Sequence, residues 1–228
     1  MNKPIIIFGI GKIAEVVHYY AVNECGFVVE AFCVDEAYRN VSEWKGRPVV
    51  STGELVQKYP SQDYDAFVAV GYQNLNRLRE EKCNLLIGMG YKLVSIISPT
   101  INTQQNIVYG WNCFIMSPSL IHPFVQLGNN VFVWSGAVVG HHSKLYDNTW
   151  VTSGANIAGN VEIGANSFIA IGAVLCDNIV IGSNSFIGAN TLLNKSLSEN
   201  KVVIKETDKP IKLSSGDFLR FSSFNSGI

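Results

Sequence analysis

From Ile115 to Leu193 every sixth residue is aliphatic: Ile115, Ile121, Leu127, Val133, Val139, Leu145, Val151, Ile157, Ile163, Ile169, Leu175, Ile181, Ile187 and Leu193. An amphipathic helix needs apolar residues three and four apart, so a strict period of six excludes it and signals a repeat. Two residues before most of these aliphatics the side chain is small, as at Ser119, Ala137, Ser143, Thr149, Ala155, Ser167, Ala173, Ser185 and Thr191. On a strand both positions point the same way, giving each hexad one large and one small inward side chain. Three residues after each aliphatic, from Asn130 to Asn190, the sequence reads Asn, Gly, His, Asn, Gly, Asn, Asn, Gly, Asn, Asn, Asn. These are the residues that tolerate a left-handed backbone. A short strand and a corner every six residues build a three-sided prism, in which residues 18 apart stack and backbone bonds run between coils.

The charge distribution marks where the prism begins. Residues 115–193 hold only Lys144, Asp147, Glu162 and Asp177 as charged side chains, 4 in 79, against 31 in the other 149. Ser98-Pro99-Thr100 breaks the preceding pattern, which divides the chain into 1–98, 99–195 and a cap or tail at 196–228 that contains Phe218, Phe221 and Phe224. Seventeen Lys and Arg against eighteen Asp and Glu leave a formal charge of -1, without the footprint of a nucleic-acid binder. Five scattered cysteines without a CxxC pair (Cys25, Cys33, Cys83, Cys113, Cys176) read as reduced, buried thiols of a cytoplasmic protein. The apolar run in MNKPIIIFGIGK is too short for a signal sequence or membrane span and reads as a strand.

The first hundred residues alternate strands and helices, the pattern of a parallel sheet. Strands are expected at Pro4 to Phe8, Phe27 to Val34 and Ala66 to Val70. Helices are expected from the Gly9-Ile10-Gly11-Lys12-Ile13-Ala14 turn to about Cys25, after the Ser51-Thr52-Gly53-Glu54 capping box, and from Asn74 to Gly88. The G-x-G-x-x-A turn, with Asp35 ending the next strand, matches a nucleotide-binding fingerprint and equally a tight strand-to-helix turn that binds nothing. A hundred residues make half of a dinucleotide fold, so a mononucleotide or sugar nucleotide fits better than NAD.

The hexad repeat resembles that of the hexapeptide-repeat acyltransferases, which implies a left-handed parallel β-helix, a homotrimer with active sites between subunits, and acyl-CoA as donor. With the half-Rossmann domain in front, residues 1 to about 195 resemble the nucleotide-sugar N-acetyltransferases of bacillosamine and sialic-acid type that serve surface-glycan, O-antigen and lipopolysaccharide biosynthesis. The resemblance implies acetyl-CoA and a UDP- or dTDP-linked amino sugar as substrates. It places Gly9, Gly11, Lys12, Ile13, Ala14, Asp35, Gly71, Tyr72 and Asn74 at the nucleotide sugar, with Gln73 in the same polar loop. Trp150, Gly159, Asn160, Ala165, Gly172 and Lys195 are assigned to acyl-CoA, with Lys201 and Lys205 as further candidates for its phosphates. Trp111, Trp134 and Trp150 line a sugar or pantetheine path or pack between subunits.

The chemistry is expected at Gly140-His141-His142. His142 holds the corner position, whereas His141 precedes it and stacks below Gly159, 18 residues on. Imidazole titrates near pH 6.5, which suits it to take a proton from an attacking amine and return it to a departing thiolate. A glycine N–H beside it suits an oxyanion. On residues alone His141 is a general base or a surface turn histidine. The resemblance assigns His141 as base and Gly159 as oxyanion donor. Relatives place an acidic residue where His142 stands, which makes His142 a candidate for catalytic support. Alternative readings are a sugar O-acetyltransferase, a zinc protein of the γ-carbonic-anhydrase sort using His122, His141 and His142, and a catalytically silent scaffold.

Overall fold

The computed structural model describes residues 3–101, 106–206, 212 and 214. In the amino-terminal part, β1 (Ile5–Phe8), β2 (Val29–Val34), β3 (Glu43–Trp44), β4 (Arg47–Ser51) and β5 (Asp65–Val68) form a sheet in the order β3-β4-β2-β1-β5. All pairs are parallel except β3 with β4. Helices α1 (Lys12–Tyr19), α2 (Thr52–Lys58) and α3 (Arg77–Gly88) fill the crossovers. The helix expected to reach Cys25 loosens after Tyr19 into a wider π turn, where the Cys25 N–H donates to the Tyr20 carbonyl. The Ser51 N–H donates to Glu54 Oε2 at 3.2 Å, as the capping box requires. The β3–β4 hairpin was not expected. Its two-residue turn, Lys45-Gly46, has φ of 52° and 71°; each strand carries a charge, and β4 also a proline, in place of an alternating apolar pattern.

Residues 96–203 form a parallel β-helix whose two-residue strands sort into three faces. The first face holds Ile96–Ile97, Phe114–Ile115, Phe132–Val133, Trp150–Val151, Phe168–Ile169, Phe186–Ile187 and Val202–Val203. The second runs from Leu120–Ile121 to Leu192–Leu193 and the third from Val108–Tyr109 to Val180–Ile181. Register confirms the coil: Phe132 pairs with Trp150, Val138 with Asn156 and Lys144 with Glu162, each 18 residues apart. The hexad aliphatics and the small residues two before them form one buried core. All eleven corner residues from Asn130 to Asn190 have positive φ, between 53° and 75°. The helix was expected over 99–195; its first face begins three residues earlier, at Ile96–Ile97, and extends past 195 to Val202–Val203. Phe218, Phe221 and Phe224 lie outside the described residues.

The amino-terminal domain covers the first face. There the residue before each core aliphatic is aromatic and points outward: Phe114, Phe132, Trp150, Phe168 and Phe186. They stack coil on coil, Phe132 on Trp150 at 4.9 Å and Phe168 on Phe186 at 5.0 Å, and Phe67 of β5 and Tyr20 of the π turn after α1 pack onto them. Trp134 and Trp150 belong to this interdomain cluster and Trp111 to the cluster on the other side of the sheet.

Arg79 of α3 is fully buried in the same interface, 4.4 Å from the Phe132 ring and 5.0 Å from the Trp150 ring. Its Nε donates to Asn130 Oδ1 at 2.8 Å, Nη2 to the Asn130 and Asn148 carbonyls, and Nη1 to Asn76 Oδ1 at 3.0 Å. Burial pulls its pKa down to about 9, still high enough to keep it cationic at neutral pH. Asn112 completes the wall: it exchanges two hydrogen bonds with the Val68 backbone and donates to Asn130, which donates to Asn148.

Among the cysteines, Cys33, Cys83 and Cys113 are buried as expected, whereas Cys25 and Cys176 are partly accessible; all five are free. Burial pushes the Cys33 and Cys83 thiols up to about 12, leaving them protonated and unreactive. No helix among the described residues is long and apolar enough to cross a membrane.

Replacing Arg79 by Met should lower stability by on the order of 3 kcal/mol, because Asn76, Asn130 and two carbonyls lose their donor in a buried place. A urea unfolding midpoint equal to that of the parent would refute this account of the interface. At an exposed corner, Asn178→Val should lower stability by about 1–2 kcal/mol while Asn178→Gly does not, since only the β-branched residue resists a left-handed backbone. Comparison of the two melting temperatures reads the difference.

Candidate functional site

The carboxyl ends of β1, β2 and β5 open into a cavity of about 550 Å³, the usual place for a ligand in a parallel sheet. Gly9, Gly11, Asp35, Tyr38, Gln73 and Lys82 are among its lining. A smaller recess of about 330 Å³ shares Gly9, Gly11 and Gln73 with it and adds Lys12, Ile13 and Gly71. Gly9 has φ of +117°, and a Cβ there would lie 2.9 Å from the Ala69 carbonyl oxygen, so the turn admits only glycine. The recess lies at the start of α1, where unpaired N–H groups and the Lys12 ammonium favour an anion.

Asp35 makes an ion pair with Lys82 at 3.0 Å, and Lys82 also meets Glu81 at 2.9 Å. Burial alone would lower the Lys82 pKa, but its hydrogen bonds to Glu81 and Asp35 outweigh it and raise the pKa, so the ammonium stays charged in the cavity wall. Sequence reasoning missed Lys82 and Tyr38 because neither stands in a motif. Gln73 was read only as part of a loop, although it lines both spaces.

Three residues assigned to the nucleotide line neither space. Ala14 is fully buried beneath the turn. Tyr72 lies on the aromatic stack, 4.7 Å from Phe168 and 5.5 Å from Trp150. Asn74 begins three consecutive left-handed residues, Asn74, Leu75 and Asn76, with φ of 52°, 48° and 66°. That turn ends where the Asn76 side chain meets Arg79, which fixes the loop against the β-helix.

The histidine pair occupies the corner between the second and third faces. His141 and Gly159 stack as the repeat requires: a Cβ on Gly159 would lie 2.6 Å from His141 Cε1 and 2.7 Å from Nε2, so the ring uses the space left by the missing side chain. The Asn160 N–H donates to the His141 carbonyl at 2.8 Å, whereas the Gly159 N–H has no backbone acceptor among the described residues. His142 takes the left-handed corner, φ 61°, and its Nδ1 lies 3.1 Å from His141 Nδ1.

The acyl-CoA candidates separate. Asn160 and Lys195 share the corner of His141, Lys195 standing 54 residues on in the same column. Ala165 and Gly172 lie at the other two corners of the prism. Trp150 is 1% exposed inside the interdomain interface and does not line a CoA path. Among the described residues no group of three His, Cys, Asp or Glu is placed to hold a metal ion.

The family model "Bacterial transferase hexapeptide (six repeats)" matches residues 160–195. No curated protein matches the sequence. Among solved structures, a histidine-to-asparagine mutant of perosamine N-acetyltransferase from Caulobacter crescentus, in complex with CoA and GDP-perosamine, is 24% identical with a TM-score of 0.80, covering 90% of this chain and 95% of that one. The acetyltransferase domain of PglB from Neisseria gonorrhoeae, in complex with acetyl coenzyme A, is 25% identical with a TM-score of 0.80 and covers 92% of this chain and all of that one. WeeI from Acinetobacter baumannii is 18% identical with a TM-score of 0.76, covering 90% and 97%. These matches run through both domains and carry the left-handed β-helix with them. The hexapeptide repeat, the two-domain plan and these neighbours make the chain similar to the hexapeptide-repeat sugar N-acetyltransferases, whose left-handed β-helix fold it carries.

Proposed function

We propose that the protein transfers the acetyl group of acetyl-CoA to the amino group of a nucleotide-linked amino-dideoxy sugar, with His141 as general base and the Gly159 N–H as oxyanion donor. The observation that carries this reading is the imidazole packed against a glycine at a β-helix corner. His141 Nε2 takes the proton of the amine as its nitrogen bonds to the thioester carbon. The Gly159 N–H receives the oxygen as it gains charge, and Nε2–H passes the proton to sulfur as the carbon–sulfur bond breaks.

The cavity at Asp35 and the recess at Lys12 would hold the nucleoside and its diphosphate. UDP and dTDP are the proposed carriers, and the GDP-perosamine bound by the Caulobacter enzyme makes GDP the third to test. The amino-terminal domain sits on the first face, while His141 stands at the corner opposite that face. One chain therefore holds recognition and chemistry on opposite sides of its prism, which supports a homotrimer that brings the nucleotide cavity of one subunit to the histidine of the next. Leu120, Val174 and Leu192 on the second face and Val180 on the third are exposed aliphatics available for that contact.

His141→Ala should reduce thiol release from acetyl-CoA with an amino-sugar nucleotide by about 10²- to 10⁴-fold while nucleotide affinity is kept. Full turnover in that variant would remove His141 as base. Saturating nucleotide and acetyl-CoA should each raise the melting temperature, by about 2.7 kcal/mol of added stability at a hundred times Kd. A screen of UDP, dTDP, GDP and CoA in which none does so would contradict the assignment of the two cavities, and product analysis for amide against ester separates N- from O-acetylation.

A further inference from the structure

We propose that His142 is a positioning residue that fixes the tautomer of His141 by accepting a hydrogen bond as a neutral imidazole. The inference rests on the reading of His141 as base. The two Nδ1 atoms are 3.1 Å apart, and the space between them holds one proton. If that proton belonged to His142, neutral His141 would carry its own proton on Nε2, the atom that must be free to act as a base. If it belongs to His141, Nε2 keeps its lone pair, and His142 must offer an unprotonated Nδ1 with its proton on Nε2. The base therefore works only while its neighbour is neutral and in that one tautomer.

Nothing in the corner itself calls for histidine. The ten other corner positions from Asn130 to Asn190 are Asn or Gly. What is particular to this corner is a seat for the ring. Phe124, one coil below in the same column, itself takes a left-handed φ of 67°, costly for a bulky residue, and its ring lies 4.8 Å from that of His142 at 34°. The His142 ring then stands at 85° to that of His141 with the two nitrogens in reach. A side chain unneeded for the turn, held by a strained aromatic and aimed at the base, is an arrangement for orientation.

The test uses the two residues, Asn and Gly, that hold the other corners of this β-helix between Asn130 and Asn190, so that folding is not at issue. In the full-length protein His142→Gly removes the acceptor, and His142→Asn supplies Oδ1 near the position of Nδ1. The Gly variant should lose on the order of 10- to 100-fold in kcat, with KM for both substrates within about twofold of the parent. The Asn variant should recover most of that loss, and both should keep the parent melting temperature. A Gly variant with parental kcat, alongside an inactive His141→Ala, would overturn the role of His142 and leave the base standing. An Asn variant as slow as the Gly variant would overturn the acceptor role, and activity surviving in His141→Ala would remove the base on which both depend.

Discussion

A chain that turns every six residues enters the left-handed region of backbone space at corner after corner, and from Asn130 to Asn190 the β-helix does so eleven times in succession. Along that stretch each corner residue carries positive φ, and each is Asn, Gly or, once, His. Because the sides have the same length, the coils superpose, and up to Leu193 the ladder bonds of one coil meet those of the next at an offset of 18 residues. The inward aliphatics then form a continuous column that no single coil could bury by itself. The stacking of His141 on Gly159 inherits its accuracy from the same regularity, since both positions are set by the coil and not by a loop.

The second organising contact joins unlike domains. An apolar face alone would let the sheet slide along the aromatic stack, since ring-on-ring packing is tolerant of small shifts. Arg79 removes that freedom by naming its partners: two coils through Asn130 and Asn148, and the loop before α3 through Asn76. Its charge meets neutral oxygens and two ring faces, so desolvation is offset by hydrogen bonds and cation–π contact instead of a carboxylate.

Much of this was legible in the residues. The hexads predicted strand positions, inward residues and corners because each depends on a local rule of backbone conformation and side-chain size. The same register separates His141 from the corner residue His142. The β3–β4 hairpin escaped because a Lys-Gly turn between charged two- to five-residue strands has no apolar alternation to reveal it. Trp150 was assigned to CoA because the sequence could not say which face another domain covers. Lys82 and the buried Arg79 were invisible for a related reason: on α3 they read as members of a charged helix, and only tertiary contact turns one into a cavity wall and the other into a bolt.

The placement of that bolt has a geometric corollary. Arg79 grips Asn130 and Asn148, residues that bracket the histidine corner along the chain, so the height of the α/β domain relative to His141 is counted in whole coils. Each coil adds about 4.8 Å, the spacing between neighbouring strands. The vertical distance from the cavity at Asp35 to the corner at His141 is thus quantised, and a relative that gained or lost 18 residues between the two would change its reach by one whole rung.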